Sequence, residues 1–589
     1  MSAKKNVIVR IAGAAGDGIA SSGELFGKTC SRMGLHVMAY NAYQSAIRGG
    51  HVWLQLNVGE EKTLTHGEAP EVALLLNKTS PDVHVPDMAS GGIVFYDASV
   101  IDRESIESRR ADLKYYGLNF KDLVNVEGAS PVMKNTMLTA ALIQALGLDT
   151  AMSLDFLHEK FAKKGEQVVS INQQVFKIGA AWASEHVTDF KISLKGDGVK
   201  RMFITGNDAL GMGLLAGGLK FYAAYPMSPA TGVLHYLAKQ AKKHKIVVKQ
   251  CEDELAVINY VVGAGNAGTR SACATAGGGF CLMIEGVGLA GMMEVPLVAI
   301  SVMRGGPSTG IPTKQEQADL NLAFASNGDF PKFVIAPKDP EDAFYQAARA
   351  LNIAEKYQTP VIMFSDLFLS EHYQTVAPYD FSKISIERGK LLTEWKGPEK
   401  YKRYAWSEDG ISPRLLPGAP GQMYTVVSDE HDESGVIISD VLAGLPESLE
   451  IRNKIHARRM QKEVTMIKED SRLPEVTGSA KAEVTLLGYG STYDAIADAV
   501  RLLKAEGIEA NQIHFTDIYP LNKDKVAEIL KSAKRIVAVE NNISNQFSKY
   551  LLGQTAFEIK ESVQRYDGEP FTGEYIVEAL KKLKTPAHA

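Results

Sequence analysis

Short apolar runs alternate with stretches of helical spacing along most of the chain. Val7–Ala12 reads as a strand that ends in GAAGDG. Ile19–Met33 has helical periodicity and His36–Tyr40 is a second apolar run, so the chain opens as a βαβ unit. The same alternation continues through Glu71–Leu76, Gly92–Tyr96 and the helical Lys134–Leu146, and fades in the polar stretch Ser184–Arg201. A second series carries the glycine-rich region Ile246–Met303 and the strand Pro360–Ser365. Between Ser370 and Val476 the periodicity weakens, apart from a charged bridging helix over Asn453–Lys468, whose Arg458, Arg459 and Lys462 read as a solvated face. From Glu483 a last compact βαβαβ core follows, ending in the strand Arg535–Glu540. The pattern predicts an α/β protein of three units on mainly parallel sheets, with boundaries at 1–195, 196–370 and 479–589 and a connecting region at 371–478.

Composition narrows the partners more than the fold. With 64 basic and 69 acidic residues among 589, the net charge of −5 leaves no electrostatic footprint for nucleic acid or an anionic membrane. The most membrane-like stretch, Gly279–Met303, is interrupted by Glu285 and Glu294 and reads as buried strand and helix. The N-terminus lacks a signal-peptide core, which points to the cytoplasm. Four cysteines, Cys30, Cys251, Cys273 and Cys281, show no zinc or iron–sulfur spacing and are expected to be buried structural thiols.

Five stretches carry chemistry. GAAGDG, with Gly13, Gly16 and Gly18 between a strand and a helix, resembles a phosphate-binding turn, yet the next strand ends at Tyr40–Asn41 without the acid that would bind a dinucleotide's ribose. Downstream, Arg48 in YQSAIRGGHV is placed for a phosphate or a subunit contact, or is a plain surface arginine. In AYPMSPATG the two prolines stiffen a loop around Ser228. Glu252 and Glu254 in KQCEDELAVINYVVGAGNAG stand at a strand-to-helix switch followed by uncharged residues as far as Arg270. Burial there disfavours the charged form, so a carboxyl can share a proton with a buried ring nitrogen. SVMRGGPSTGIPTKQEQADL delivers Arg304 to a constrained loop with Ser308, Thr309 and Thr313, a suitable receptor for a carboxylate.

Together YPMSPATG, CEDELAVINYVVGAGNAG and RGGPSTGIPT resemble the α subunit of the 2-oxoacid:ferredoxin oxidoreductases, with the family's γ unit fused ahead of it and GAAGDG and AIRGGHV at its characteristic positions. The resemblance implies a γ-type domain at 1–195, a thiamine-diphosphate pyrimidine-binding domain at 196–370 and a transketolase C-terminal-like domain at 479–589. It makes Glu254 the catalytic contact to the aminopyrimidine of thiamine diphosphate, alongside Tyr225 and Pro226. Ser228 and Arg304 become the holders of the substrate carboxylate, with Thr309 and Thr313 on the neighbouring loop. Position 228 is more often threonine in the family. Gly13, Gly16, Gly18 and Arg48 become candidates for a coenzyme A or interface contact. YPLN and VENN, at Tyr519–Asn522 and Val539–Asn542, either line the interface or pack.

The family's GDG-to-NN pattern for diphosphate and Mg²⁺, roughly 25–30 residues apart, is absent: GDG occurs at Gly16–Gly18 and Gly196–Gly198, whereas NN occurs at Asn541–Asn542. The resemblance therefore implies a separate β subunit with Mg²⁺ and a [4Fe–4S] cluster, an (αβ)₂ heterotetramer, and a pocket completed between the two chains. The implied reaction is CoA-dependent oxidative decarboxylation of a 2-oxoacid with reduction of ferredoxin, or the reverse carboxylation. The fusion and the RGGPSTG form favour 2-oxoglutarate, giving succinyl-CoA, over pyruvate or a branched-chain acid. An NAD-dependent dehydrogenase and a non-catalytic paralogue are the rival readings.

Overall fold

The computed structural model describes residues 6–42, 50–188, 192–438 and 444–583. Two compact units form: Met1–Thr205 with His372–Pro378 and Thr572–Glu574, and the remainder of the chain. Arg48 lies outside the described residues.

The first unit is built on an eight-stranded mixed sheet. Its central strand Asn6–Ala14 runs parallel to Val72–Leu75 and antiparallel to His51–Gly59. The strand His51–Gly59 escapes a hydrophobic pattern because Gln55 and Asn57 interrupt it. Both are buried, and both side chains donate to the backbone carbonyls of Thr65, His66 and Gly67, which satisfies them without water. The helices Ile19–Met33, Lys134–Ala145 and Glu166–His186 bury their apolar faces around this sheet.

The second unit contains two sheets. The larger has seven strands in the order Asp517–Tyr519, Phe333–Ile335, Pro360–Asp366, Leu297–Met303, Ser271–Thr275, Phe221–Ala224 and Val247–Gln250. All are parallel except Asp517–Tyr519, which the last domain adds antiparallel at the edge. The smaller sheet orders Glu475–Gly478, Ala510–Phe515, Val484–Tyr489, Ile536–Glu540 and Glu561–Gln564, again parallel apart from the first strand.

The bridging helix spans Pro446–Glu469, and its basic residues are not solvated: Arg458, Arg459 and Lys462 are all buried. The cause is a carboxylate far away in sequence. Fully buried Glu294 pairs with Arg458 and, at 2.6 Å, with Lys462, and these two cations hold its carboxyl below the ordinary carboxylate range against the opposing effect of burial. Arg459 pairs with Glu430 at 2.6 Å. Cys281 also departs from expectation in being exposed, while Cys30, Cys251 and Cys273 are buried. Among the described residues no helix is long and apolar enough to cross a membrane.

Candidate active site

Four loops converge because four parallel strands end on one side of the larger sheet. From Phe221–Ala224 the chain crosses outward to the edge strand Val247–Gln250, then returns to Ser271–Thr275 on the other flank and continues to Leu297–Met303. The strand order thus reverses between Phe221–Ala224 and Ser271–Thr275, which opens a crevice at their carboxyl ends, where open α/β sheets bind ligands. Tyr225–Ser228 and Arg304 follow directly from those ends, Thr275 is the last residue of its strand, and Glu254 comes shortly after Gln250.

Of the two carboxylates in CEDE, Glu252 is exposed and Glu254 is 3% exposed. Asp253 takes the capping role, accepting the Ala256 N–H at 2.7 Å, so Glu254 is released from stabilising the start of the helix Glu254–Asn266. The Thr275 hydroxyl donates to Glu254 Oε1 at 3.3 Å and also lies 3.8 Å from Met227 Sδ. Across the crevice, Arg304 Nη1 donates to the Ser228 carbonyl at 2.6 Å and Nη2 to the Thr309 carbonyl at 3.3 Å. Arg304 therefore ties the two hydroxyl-rich loops together. The hydroxyls of Ser228, Thr309 and Thr313 have no protein partner among the described residues.

The helix Gly277–Met293 closes the ring with its first turn. A Cβ at Gly279 would collide with the Glu254 carboxyl and the Thr275 hydroxyl, and one at Gly277 would collide with the carboxyl of Asp319. Between them the Ser308 carbonyl stands 3.4 Å from the Cβ position of Gly278. Thr275 and Asp319 were not among the residues that the sequence singles out.

The far end of the Arg304 loop is clamped by the last domain. Gln317 donates its backbone N–H to the Asn541 carbonyl at 2.8 Å and its Nε2 to Asp366 at 2.8 Å, while Asn542 Nδ2 donates to the Gln317 carbonyl at 3.1 Å. Gln546 holds the Ala318 carbonyl at 2.7 Å, and Lys314 pairs with Glu569. VENN therefore packs on this loop. In YPLN, the Asn522 side chain caps the helix Lys523–Ser532, accepting the Lys525 N–H at 3.2 Å.

Comparisons with known proteins bear on this constellation. Residues 212–447 match the family model described as pyruvate flavodoxin/ferredoxin oxidoreductase, thiamine diphosphate-binding; residues 8–182 match pyruvate ferredoxin/flavodoxin oxidoreductase, and residues 476–581 the transketolase C-terminal domain. The 2-oxoacid:ferredoxin oxidoreductase subunit alpha of a Sulfolobus species is 31% identical over 97% of this chain and 96% of its own length. This chain belongs to that family. A solved 2-oxoglutarate:ferredoxin oxidoreductase from Magnetococcus marinus superimposes with a TM-score of 0.89 at 32% identity, covering 98% of this chain and 99% of that one. The 2-oxoglutarate oxidoreductase subunit KorA of Mycobacterium tuberculosis is 29% identical over 97% of this chain and 90% of its own length.

As a 2-oxoacid:ferredoxin oxidoreductase homologue the chain belongs to a thiamine-diphosphate-dependent oxidoreductase, and its residues fit that coenzyme. Glu254 is a buried acid whose carboxyl has the Thr275 hydroxyl as its one hydrogen-bond partner among the described residues, and the missing Cβ of Gly279 leaves it room. The GAAGDG turn has another arrangement. Asp17 turns its carboxylate onto the Ala14 N–H at 2.9 Å and Ala15 N–H is bonded to the Gly50 carbonyl, so two donors that an anion would use are taken. Gly16 and Gly18 have positive φ of 110° and 86°, and a side chain at Gly18 would collide with Asn135.

Behind Ser228 the buried Asn207 donates to the Pro229 carbonyl at 2.8 Å and to Glu371 at 3.1 Å. Burial, then the charge of Asp208, pushes the Glu371 carboxyl up to about 7 from 4.5. The folded chain therefore holds this proton more tightly than the unfolded one, and stability falls as pH rises from 4.5 to 7. Glu371→Gln is expected to raise the thermal midpoint at pH 8, by at most about 3 kcal/mol of stability, and to change little at pH 4.5. Melting curves at the two pH values check this.

Proposed function

We propose that this chain is the α subunit of an enzyme that converts a 2-oxoacid, CoA and two oxidised ferredoxins to an acyl-CoA, CO₂, two reduced ferredoxins and a proton, or runs the reverse carboxylation. The observation that carries the proposal is Arg304 bridging the Ser228 and Thr309 loops at the same crevice where Glu254 is buried. Its guanidinium, with the hydroxyls of Ser228, Thr309 and Thr313, holds the substrate's 1-carboxylate, the planar fork meeting two oxygens. Glu254 would hold a proton at a ring nitrogen of the coenzyme's aminopyrimidine, and Tyr225 and Pro226 would contribute to holding that ring. Thiamine diphosphate, when bound, supplies the nucleophilic carbon for the 2-oxo group and accepts the electron pair that CO₂ leaves behind. Departure of the carboxylate as a neutral molecule removes the charge that Arg304 binds, which favours release.

The pocket is half of a site. Around it Tyr225, Leu255, Leu282 and Ile311 are exposed, a rim of apolar side chains suited to a partner protein. A β subunit covering that rim supplies the diphosphate and Mg²⁺ site and the [4Fe–4S] cluster, in an (αβ)₂ assembly. The favoured substrate is 2-oxoglutarate, giving succinyl-CoA, because the Magnetococcus marinus enzyme is described with 2-oxoglutarate, CoA and succinyl-CoA bound.

Co-expression with a β subunit and assay of CoA-dependent reduction of a low-potential acceptor tests this. Pyruvate, 2-oxoglutarate and branched 2-oxoacids are compared; turnover of none of them overturns the proposal. Arg304→Ala is expected to raise KM for the 2-oxoacid about a hundredfold, from loss of a charge-assisted fork on an anion. Arg304→Lys recovers only part of this, because a point charge cannot meet both oxygens.

A further inference from the structure

The loop that carries Ser228 has few holds of its own. Pro226 and Pro229 have no N–H to donate, and the Met227 carbonyl is taken within the same turn by the Thr231 N–H at 3.1 Å. Side chains from elsewhere in the chain grip the next two carbonyls: Arg304 donates to Ser228 at 2.6 Å and Asn207 to Pro229 at 2.8 Å. Arg304 has a further task, since the proposed function gives its guanidinium to the substrate. Asn207 has no such second task. It is the second residue of the helix Gly206–Ala216 and is buried, so it serves the loop from behind and not from the crevice. Its Nδ2 donates to the Pro229 carbonyl and, at 3.1 Å, to Glu371 Oε1, which fixes the way round that the amide stands. The opposite orientation would turn Oδ1 onto the Pro229 carbonyl, two acceptors facing each other. In the orientation observed, Oδ1 is buried without a partner, a cost that an alanine or leucine at this position would not carry.

Close packing leaves this amide little room to swing. A Cβ at Gly232 would stand 2.5 Å from Asn207 Nδ2, and one at Gly206 would collide with the Leu369 carbonyl. The start of the helix is thus pressed between the Ser228 loop and the short helix Leu367–Glu371, whose last residue supplies the Glu371 carboxyl. The geometry points to Asn207 as the positioning residue for the Ser228 hydroxyl, with Glu371 orienting its amide. When the substrate's carboxylate draws on Arg304, Asn207 keeps the Pro229 carbonyl in place, and the neighbouring hydroxyl stays where the carboxylate needs it. A donor set in advance at its binding position spares the cost of ordering the loop when substrate arrives.

This role rests on the proposed contact between the Ser228 hydroxyl and the substrate carboxylate, and its test separates the two. In the assembled αβ complex, kcat and the KM values for the 2-oxoacid and for CoA are measured. Ser228→Ala and Asn207→Ala are each expected to raise KM for the 2-oxoacid about tenfold, the weight of one hydrogen bond, with kcat and KM for CoA changed far less. In a Ser228→Ala background Asn207→Ala is expected to add nothing, because the hydroxyl it places is gone. Glu371→Gln keeps an acceptor for the amide and is expected to leave KM unchanged. Glu371→Leu leaves Asn207 in place but unoriented, so it should raise KM in the same direction, and it carries the test if Asn207→Ala does not assemble. A raised KM in Ser228→Ala with an unchanged one in Asn207→Ala overturns the positioning role alone. So does an equal effect of Asn207→Ala in both backgrounds, or failure of both Asn207→Ala and Glu371→Leu to assemble, since each marks a purely structural residue. An unchanged KM in Ser228→Ala, or absence of turnover with any 2-oxoacid, overturns the functional reading and this role with it.

Discussion

Glu254→Ala is expected to reduce turnover of the αβ complex roughly 10²–10⁴-fold, the range for loss of a positioned acid or base, while the complex still assembles. The structure separates these two outcomes. Asp253, not Glu254, caps the helix, so its start survives the change. The helix continues to bury Val257, Ile258, Val261 and Val262, and the variant should melt within a few degrees of the unaltered chain. Glu254→Gln keeps the volume beside Gly279 and tests the proton alone. If either variant retained near-normal turnover in an assembled complex, the role given to Glu254 would be wrong.

The largest effect on stability is expected at a residue outside the pocket. Glu294→Ala strands Arg458 and Lys462, both fully buried, without the carboxylate that neutralises them. Breaking a buried ion pair from one side costs about 3–5 kcal/mol, since the remaining charge has no water to turn to. Urea or thermal unfolding should show a loss of that order. The double variant Glu294→Ala with Lys462→Met should be less destabilised than Glu294→Ala alone, because one of the stranded charges is removed with its partner. Glu294 also stands at the C-terminal end of the helix Gly277–Met293, whose other end forms the floor of the crevice. Some loss of activity should accompany the loss of stability.

The parts of the candidate site that were legible in the sequence are those whose chemistry is local. Ser228 between two prolines, Arg304 after a run of buried β residues and Glu254 at a strand-to-helix switch each carry their own signal. Parallel strands deliver such positions to one end of the sheet. Thr275 and Asp319 gave no such signal, because a threonine at the end of SACAT and an aspartate after QEQ acquire meaning only from glycines on a different element. Asn207 and Glu371 are 164 residues apart and meet behind Ser228. The buried Arg458 and Lys462 were misread for the same reason: helical spacing shows which residues share a face, but not that Glu294 waits under it. In the first unit, Gln55 and Asn57 broke the apolar rhythm that marks a strand while being fully paired inside it.

The clamp on Gln317 has a consequence for how such chains can be recombined. A hybrid that exchanges everything after Ser479 for the corresponding piece of a relative would keep Arg304 and yet give residues 314–318 a foreign mooring. Transplanting the terminal module together with that short anchor should preserve keto acid preference; transplanting it alone should blur it.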